Sequence, residues 1–224
     1  MKNIACVIPA YNEEERITAT IEGVKKVPEI NRILVINDGS TDGTARKVKD
    51  AGAELLDLKV NRGKGGAMNA ALPYLKDTDI VVFLDADLGE TSAEASKIIK
   101  PVLEGKADLC IAAFAPPRKK GGFGLVKGTA AWIIRKTGEF DSIAPLSGQR
   151  AMTAEVLKAI TPFSEAYGVE LGMTLSALRQ GFRVLEVPTE MRHNETGRDL
   201  KGFIHRGKQF IDVLKVIKNE LRRK

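Results

Sequence analysis

Three short apolar runs, residues 4–8, 33–36 and 80–84, recur through the first half of the chain with helical patterns between them. No other feature limits the fold as strongly. The runs are rich in β-branched residues and apolar at every position, which suits strands covered on both faces of a parallel sheet. Pro9 ends the first of them. Asn12 is placed to cap a helix with Glu13, Glu14 and Glu15 in its first turn and Ile17, Ile21 and Val24 on one face. Residues 41–51 read as a second helix closed by Gly52, and residues 65–75 as a third. Thr91 and Glu94 make a capping box for a fourth, running towards Gly105, which Pro101 should kink or break. Residues 107–113 are a further strand. This alternation predicts an α/β fold, a Rossmann-like, mostly parallel sheet with helices on both faces.

The rhythm breaks after Phe114. Pro116, Pro117, Arg118, Lys119, Lys120, Gly121 and Gly122 form a basic, turn-rich loop of the kind that closes over ligands, and residues 125–136 follow as a helix. Residues 169–180 read as a helix stopped by Gly181, and 182–187 as a strand. A basic amphipathic helix spans roughly residues 200–223, with Phe203, Phe210, Leu214, Ile217 and Leu221 on one stripe. The stripe suits packing on the domain or on a second subunit in a homodimer. Docking on a membrane surface is the sharper alternative, which the Trp132-Ile133-Ile134 segment could serve unless it is core.

The 224 residues suit one domain. No segment approaches the ~20 apolar residues of a membrane span, so a soluble, cytoplasmic protein is expected. Cys6 and Cys110 lie inside apolar runs and are expected as buried free thiols. With two His and no paired cysteines, a structural zinc site is excluded. The net charge of +6 favours an anionic partner. Only 5% of residues are aromatic and none interleave with a basic run, which argues against nucleic acid.

The chemistry collects at strand ends, where open α/β sheets place ligands. Asp85-Ala86-Asp87 follows directly on the run 80–84. Two carboxylates one residue apart there can face a hard cation, Mg2+ or Mn2+, on a diphosphate. Pro9-Ala10-Tyr11-Asn12-Glu13 ends the first strand. Asn37-Asp38-Gly39-Ser40-Thr41-Asp42 ends the second, where Asp38 could accept the imide N–H of a uracil and Gly39 lets backbone come close; Asp-Gly-Ser is also ordinary turn chemistry. Asn61-Arg62-Gly63-Lys64-Gly65-Gly66 follows a third strand lying between the runs 33–36 and 80–84, with glycines for close approach and cations for a nucleotide's oxygens. It has neither the P-loop nor the dinucleotide-binding glycine pattern.

The ordered set V-I-P-A-Y-N-E (7–13), I-N-D-G-S-T-D (36–42), N-R-G-K-G-G-A (61–67) and D-A-D (85–87) resembles glycosyltransferase family 2 of the GT-A fold. Residues 145–150 (P-L-S-G-Q-R) and 167–170 (Y-G-V-E), on to His193, are similar to glucosyl-3-phosphoglycerate synthases and in part to polyprenyl-phosphate sugar synthases. The resemblance implies that Pro9, Tyr11 and Glu13 line the nucleoside pocket, Asp38 reads uracil and Lys64 contacts the nucleotide. It implies that Asp85 faces the ribose, with Ala86 in the same binding segment, and that Asp87 holds the metal with His193 completing its shell. It also implies a nucleotide-facing half over 1–113 and an acceptor half over 114–224. Glu170 is either a general base on the acceptor or a first-turn residue answering the helix dipole. A UDP-sugar donor, UDP-glucose first, and a small phosphorylated acceptor such as 3-phosphoglycerate follow, with polyprenyl phosphate at a membrane surface or nucleotidyl transfer as alternatives. The chain departs from both patterns. Gly89 follows Leu88 where the polyprenyl-phosphate mannose enzymes have Gln, and Leu125 follows Gly124 where the phosphoglycerate enzymes have a basic residue. Lys119, Lys120 and Lys127 are the available substitutes for that charge.

Overall fold

The computed structural model describes residues 2–114, 124–164 and 168–192. Its strands are β1 (Ile4–Ala10), β2 (Arg32–Asp38), β3 (Glu54–Leu58), β4 (Ile80–Phe83), β5 (Leu109–Phe114), β6 (Arg150–Thr153) and β7 (Val184–Thr189). Its helices are α1 (Ile17–Lys25), α2 (Thr44–Asp50), α3 (Gly63–Ala71), α4 (Ser96–Leu103), α5 (Gly124–Gly138), α6 (Ala154–Ile160) and α7 (Val169–Arg179). The strands form one sheet in the order β3-β2-β1-β4-β6-β5-β7. β6 runs antiparallel to β4 and β5, and every other pair is parallel.

Alternation along β1 divides the core. Ile4, Cys6 and Ile8 pack with Ile17, Ile21 and Val24 of α1, Val48 of α2 and Ile98, Ile99 and Val102 of α4. Ala5 and Val7 face the other way, onto Ala67, Met68 and Ala71 of α3, Val156 of α6 and Val169 and Met173 of α7. Both faces of the sheet are therefore covered, which is why its strands read as unbroken apolar runs. A smaller cluster joins Ala130, Ile133 and Ile134 of α5 to Leu171 and Leu175 of α7. Ile133 and Ile134 are thus core, while Trp132 is exposed under the Lys136 ammonium. Both cysteines are free and buried, and burial pushes the Cys110 thiol up to about 12.

Several expected boundaries shift. Asn12 does not cap α1. Its backbone is left-handed (φ 55°) and its Oδ1 accepts from the Thr41 N–H, so the helix starts only at Ile17. Thr91 and Glu94 form no capping box. Thr91 Oγ1 donates to the Leu88 carbonyl, Glu94 pairs with Lys97, and a 3-10 helix over Gly89–Ala95 precedes α4. Pro101 lies inside α4, which ends at Leu103. Strands β5 and β7 begin two residues later than expected, beyond an Arg183–Asp108 ion pair (2.7 Å) that closes their open end. The sequence pattern gave no sign of β6 or α6. The basic loop from 116 to 122, Tyr167, His193 and the helix expected over 200–223 lie outside the described residues.

Candidate active site

The carboxyl ends of β1, β2 and β4 lie side by side, because β1 pairs with both other strands, Pro9 level with Ile36 and Val7 level with Phe83. The loops that leave them are laced together. The Asn12 N–H donates to Ser40 Oγ (2.9 Å), the Glu13 N–H to Thr44 Oγ1 (2.8 Å) and the Glu14 N–H to Asp42 Oδ2 (3.2 Å). Tyr11 stands exposed at this rim, and Pro9 is half-buried below it. Asp38 is almost wholly buried, and its Oδ1 accepts from the Arg62 N–H (2.8 Å). That bond ties the second strand to the loop before α3. Gly39 makes the approach possible, since it is left-handed (φ 71°) and a Cβ there would lie 2.7 Å from Asn61 N.

Asp85, Ala86 and Asp87 form the turn after β4. Thr20 of α1, buried and facing that turn, donates through Oγ1 to the Ala86 carbonyl (2.7 Å) and accepts from the Gly89 N–H (2.9 Å). The turn is therefore held from beneath. Asp87 is half-buried. The neighbouring Glu13 carboxyl is raised above its usual range by burial and, against the opposing Arg16, by the charge of Asp87.

Lys64, in the first turn of α3, reaches back to the acidic turn. Its ammonium bonds Asp85 Oδ1 at 2.6 Å and Glu170 Oε1, from the first turn of α7, at 2.7 Å. Burial favours the neutral amine, but the two carboxylates outweigh it and hold the Lys64 pKa above the usual lysine range. Burial likewise pushes Glu170 up, and Lys64 overcomes that, leaving its carboxyl below the usual range. Arg150 lies fully buried behind this cluster. Its Nε donates to the Ser147 carbonyl (2.9 Å) and its Nη1 to Thr174 Oγ1 (2.8 Å). Desolvation lowers its pKa to about 10, against the opposing charges of Glu170, Glu186 and Asp85.

Pro9, Tyr11, Glu13, Asp38, Lys64, Asp85, Ala86, Asp87 and Glu170 thus gather at one edge of the sheet. Sequence reading assigned no role to Thr20, Gly148, Gln149 or Arg150. The last three stand in the P-L-S-G-Q-R stretch, which carries part of the family resemblance but gives no sign of the strand β6 it leads into.

Among the described residues, no group of three or more His, Cys, Asp or Glu side chains could hold a metal ion by itself. Asp87 beside Glu13 fits a different arrangement. Mg2+ and ions like it are commonly held by one or two carboxylates, with phosphate oxygens and water filling the remaining positions.

The mostly parallel sheet, with an acidic turn at the carboxyl end of its central strand β4, has the architecture of the GT-A fold. The model of the family described as Glycosyl transferase family 2 matches residues 5–146, and the chain belongs to that family. It is 31% identical over 199 residues to Glycosyltransferase AglJ of Haloferax volcanii, covering 87% of this chain and 65% of that protein's length. It is 28% identical over 212 residues to Undecaprenyl-phosphate mannosyltransferase of Micrococcus luteus, covering 87% of this chain and 85% of that one. Among solved structures it resembles glucosyl-3-phosphoglycerate synthase from Mycobacterium tuberculosis in complex with Mn2+, uridine-diphosphate-glucose and phosphoglyceric acid. There the TM-score is 0.78 and the identity 26%, covering 98% of this chain and 79% of that one. No helix among the described residues is long and apolar enough to cross a membrane.

Proposed function

We propose that this chain transfers a hexose from a UDP-sugar, UDP-glucose first, to a small phosphorylated acceptor such as 3-phosphoglycerate. The observation that carries the reading is the shared edge on which Pro9, Tyr11, Asp38, Lys64, Asp85 and Asp87 converge. The likeness to the synthase solved with Mn2+, UDP-glucose and phosphoglyceric acid supports the choice of donor, metal and acceptor.

In this reading Pro9, Tyr11 and Glu13 border the nucleoside, Asp38 accepts from the base and Asp85 meets the ribose. Asp87, with His193, would hold Mg2+ or Mn2+ on the donor's diphosphate, where such an ion offsets the charge that grows on the leaving group. Lys64 has three N–H donors, two of them engaged with Asp85 and Glu170, which leaves the third for a phosphate or sugar oxygen. Glu170 is a weak proton acceptor while Lys64 is bound to it, so it serves first as the anchor that aims Lys64.

A polyprenyl-phosphate acceptor is the second reading. The likeness to Undecaprenyl-phosphate mannosyltransferase, over 85% of that protein, favours it. A panel of nucleotide sugars, each with and without Mn2+, tested by thermal shift identifies the donor. A donor present at a hundred times its Kd stabilises the fold by about 2.7 kcal/mol. That donor is then offered 3-phosphoglycerate, glycerol phosphate and polyprenyl phosphate. Transfer to the first supports the proposal, transfer only to the last supports the second reading, and no transfer with any acceptor overturns both. Pyrophosphate release from a nucleoside triphosphate and a sugar phosphate would instead mark a nucleotidyltransferase.

A further inference from the structure

Gln149 is fully buried just ahead of β6 and meets Asp85 at two points. Its Nε2 donates to Asp85 Oδ2 at 2.8 Å, and its Oε1 accepts from the Asp85 N–H at 3.0 Å. Lys64 takes the other carboxylate oxygen, Oδ1. Both oxygens of Asp85 are therefore held, from opposite partners, and the backbone of the same residue is held as well. Gly148 brings the chain close enough for this. A Cβ there would lie 2.6 Å from Lys64 Nζ and 2.8 Å from Asp85 Oδ2.

We propose that Gln149 is a positioning residue that fixes the orientation of Asp85 and so the alignment of the donor's ribose. The proposal rests on the reading that Asp85 faces the donor. The chemistry of the position is narrow. It needs a donor for a carboxylate and an acceptor for a backbone N–H on one neutral, planar end group, which a side-chain amide supplies. Asn would fall short by one carbon. Lys or Arg would add charge beside Lys64 and Arg150, and Glu would set a second carboxylate against Asp85.

That last substitution is the test. Gln149→Glu has the same shape and keeps the acceptor for the Asp85 N–H, but places a carboxylate oxygen where the donor was. Two carboxylates so close do not both ionise freely, even with Lys64 and Arg150 nearby and Glu170 opposing them. The variant therefore takes up a proton on acidification, and the protonated acid again donates to Asp85. Expected for Gln149→Glu is a roughly ten- to hundred-fold loss of UDP affinity in Mn2+ on the alkaline side of neutrality, recovered on the acid side. Gln149→Leu is expected to be weak at both. Calorimetric titration of the full chain with UDP reads each value.

Wild-type affinity in Gln149→Leu, or an equal loss at both pH values in Gln149→Glu, overturns the proposal. A purely structural role would lower the melting temperature without acid recovery. Should Gln149→Leu fail to fold, Gln149→Glu decides alone, because its recovery is read within one folded protein. If the wild type itself binds no UDP, the functional reading fails separately. The clamp is then judged on the ligand-free protein by the crystal structure of Gln149→Leu. An Asp85 carboxylate turned away from its wild-type orientation supports it, and an unmoved one overturns it.

Discussion

Asp87 and Asp85 stand one residue apart and do different work. Asp85 is engaged by Lys64 and Gln149, whereas Asp87 shares its surroundings with the raised carboxyl of Glu13. On the proposed function a cation on Asp87 would relieve that repulsion, so Asp87→Ala should keep its fold and lose both transfer, by roughly a thousand-fold, and Mn2+-dependent stabilisation by UDP. Coupled turnover and thermal-shift assays read the two effects. The Lys64–Glu170 pair makes a second expectation. The Glu170 pKa is lowered on folding, so its contribution is present above the ordinary carboxylate value of about 4.3 and is lost as pH falls through the lower folded value. The Lys64 pKa is raised, so its contribution is complete below about 10.4 and is lost only as pH rises through the folded value. The pair is intact across neutrality. Glu170→Gln should flatten the acid limb of a melting-temperature profile. The spacing of Asp85 and Asp87 could be read directly from the sequence. Gln149 could not, because its partner lies 64 residues away and is reached only through the β4–β6 pairing.

Helix and loop ends show where local chemistry was diverted. Asn12 and Thr91 are good cap residues by type, yet each meets a distant segment, Asn12 Oδ1 accepting from the Thr41 N–H and Thr91 Oγ1 from the Arg192 N–H, the latter also donating to the nearby Leu88 carbonyl. Strand runs and helix interiors were legible because burial on both faces imposes a pattern; the caps were not, because tertiary partners compete for the same atoms. Thr20 is the clearest case of one element serving another. Thr20→Val keeps the shape and leaves the Ala86 carbonyl and the Gly89 N–H without that hydroxyl. The expected cost is about 1–3 kcal/mol in urea denaturation, with a further fall in kcat/KM as the acidic turn loosens.

Across the whole molecule the ordinary rule that charges stay outside is broken at Arg150, which is fully buried with its Nη2 unbonded among the described residues. Its field faces three carboxylates, Asp85, Glu170 and Glu186. Arg150→Met keeps much of the volume and removes that counter-charge. It should cost about 3–5 kcal/mol, and the urea midpoint measures it. A parallel α/β rhythm predicted most of the sheet, but it had no place for a strand running backwards. Since β6 is only four residues long and begins with a charge, its sequence carries no period to detect.

That reversed strand has an effect on how such a protein can be taken apart or recombined. The wall behind the acidic turn is supplied by residues that enter the sheet well after β5, so on the proposed function donor and acceptor preference would not be stored in separable cassettes. Exchanging the back of this chain for that of a relative would leave Asp85 facing a foreign amide, or none. Chimeras with intact function are to be sought with crossover points that carry β4 and β6 together.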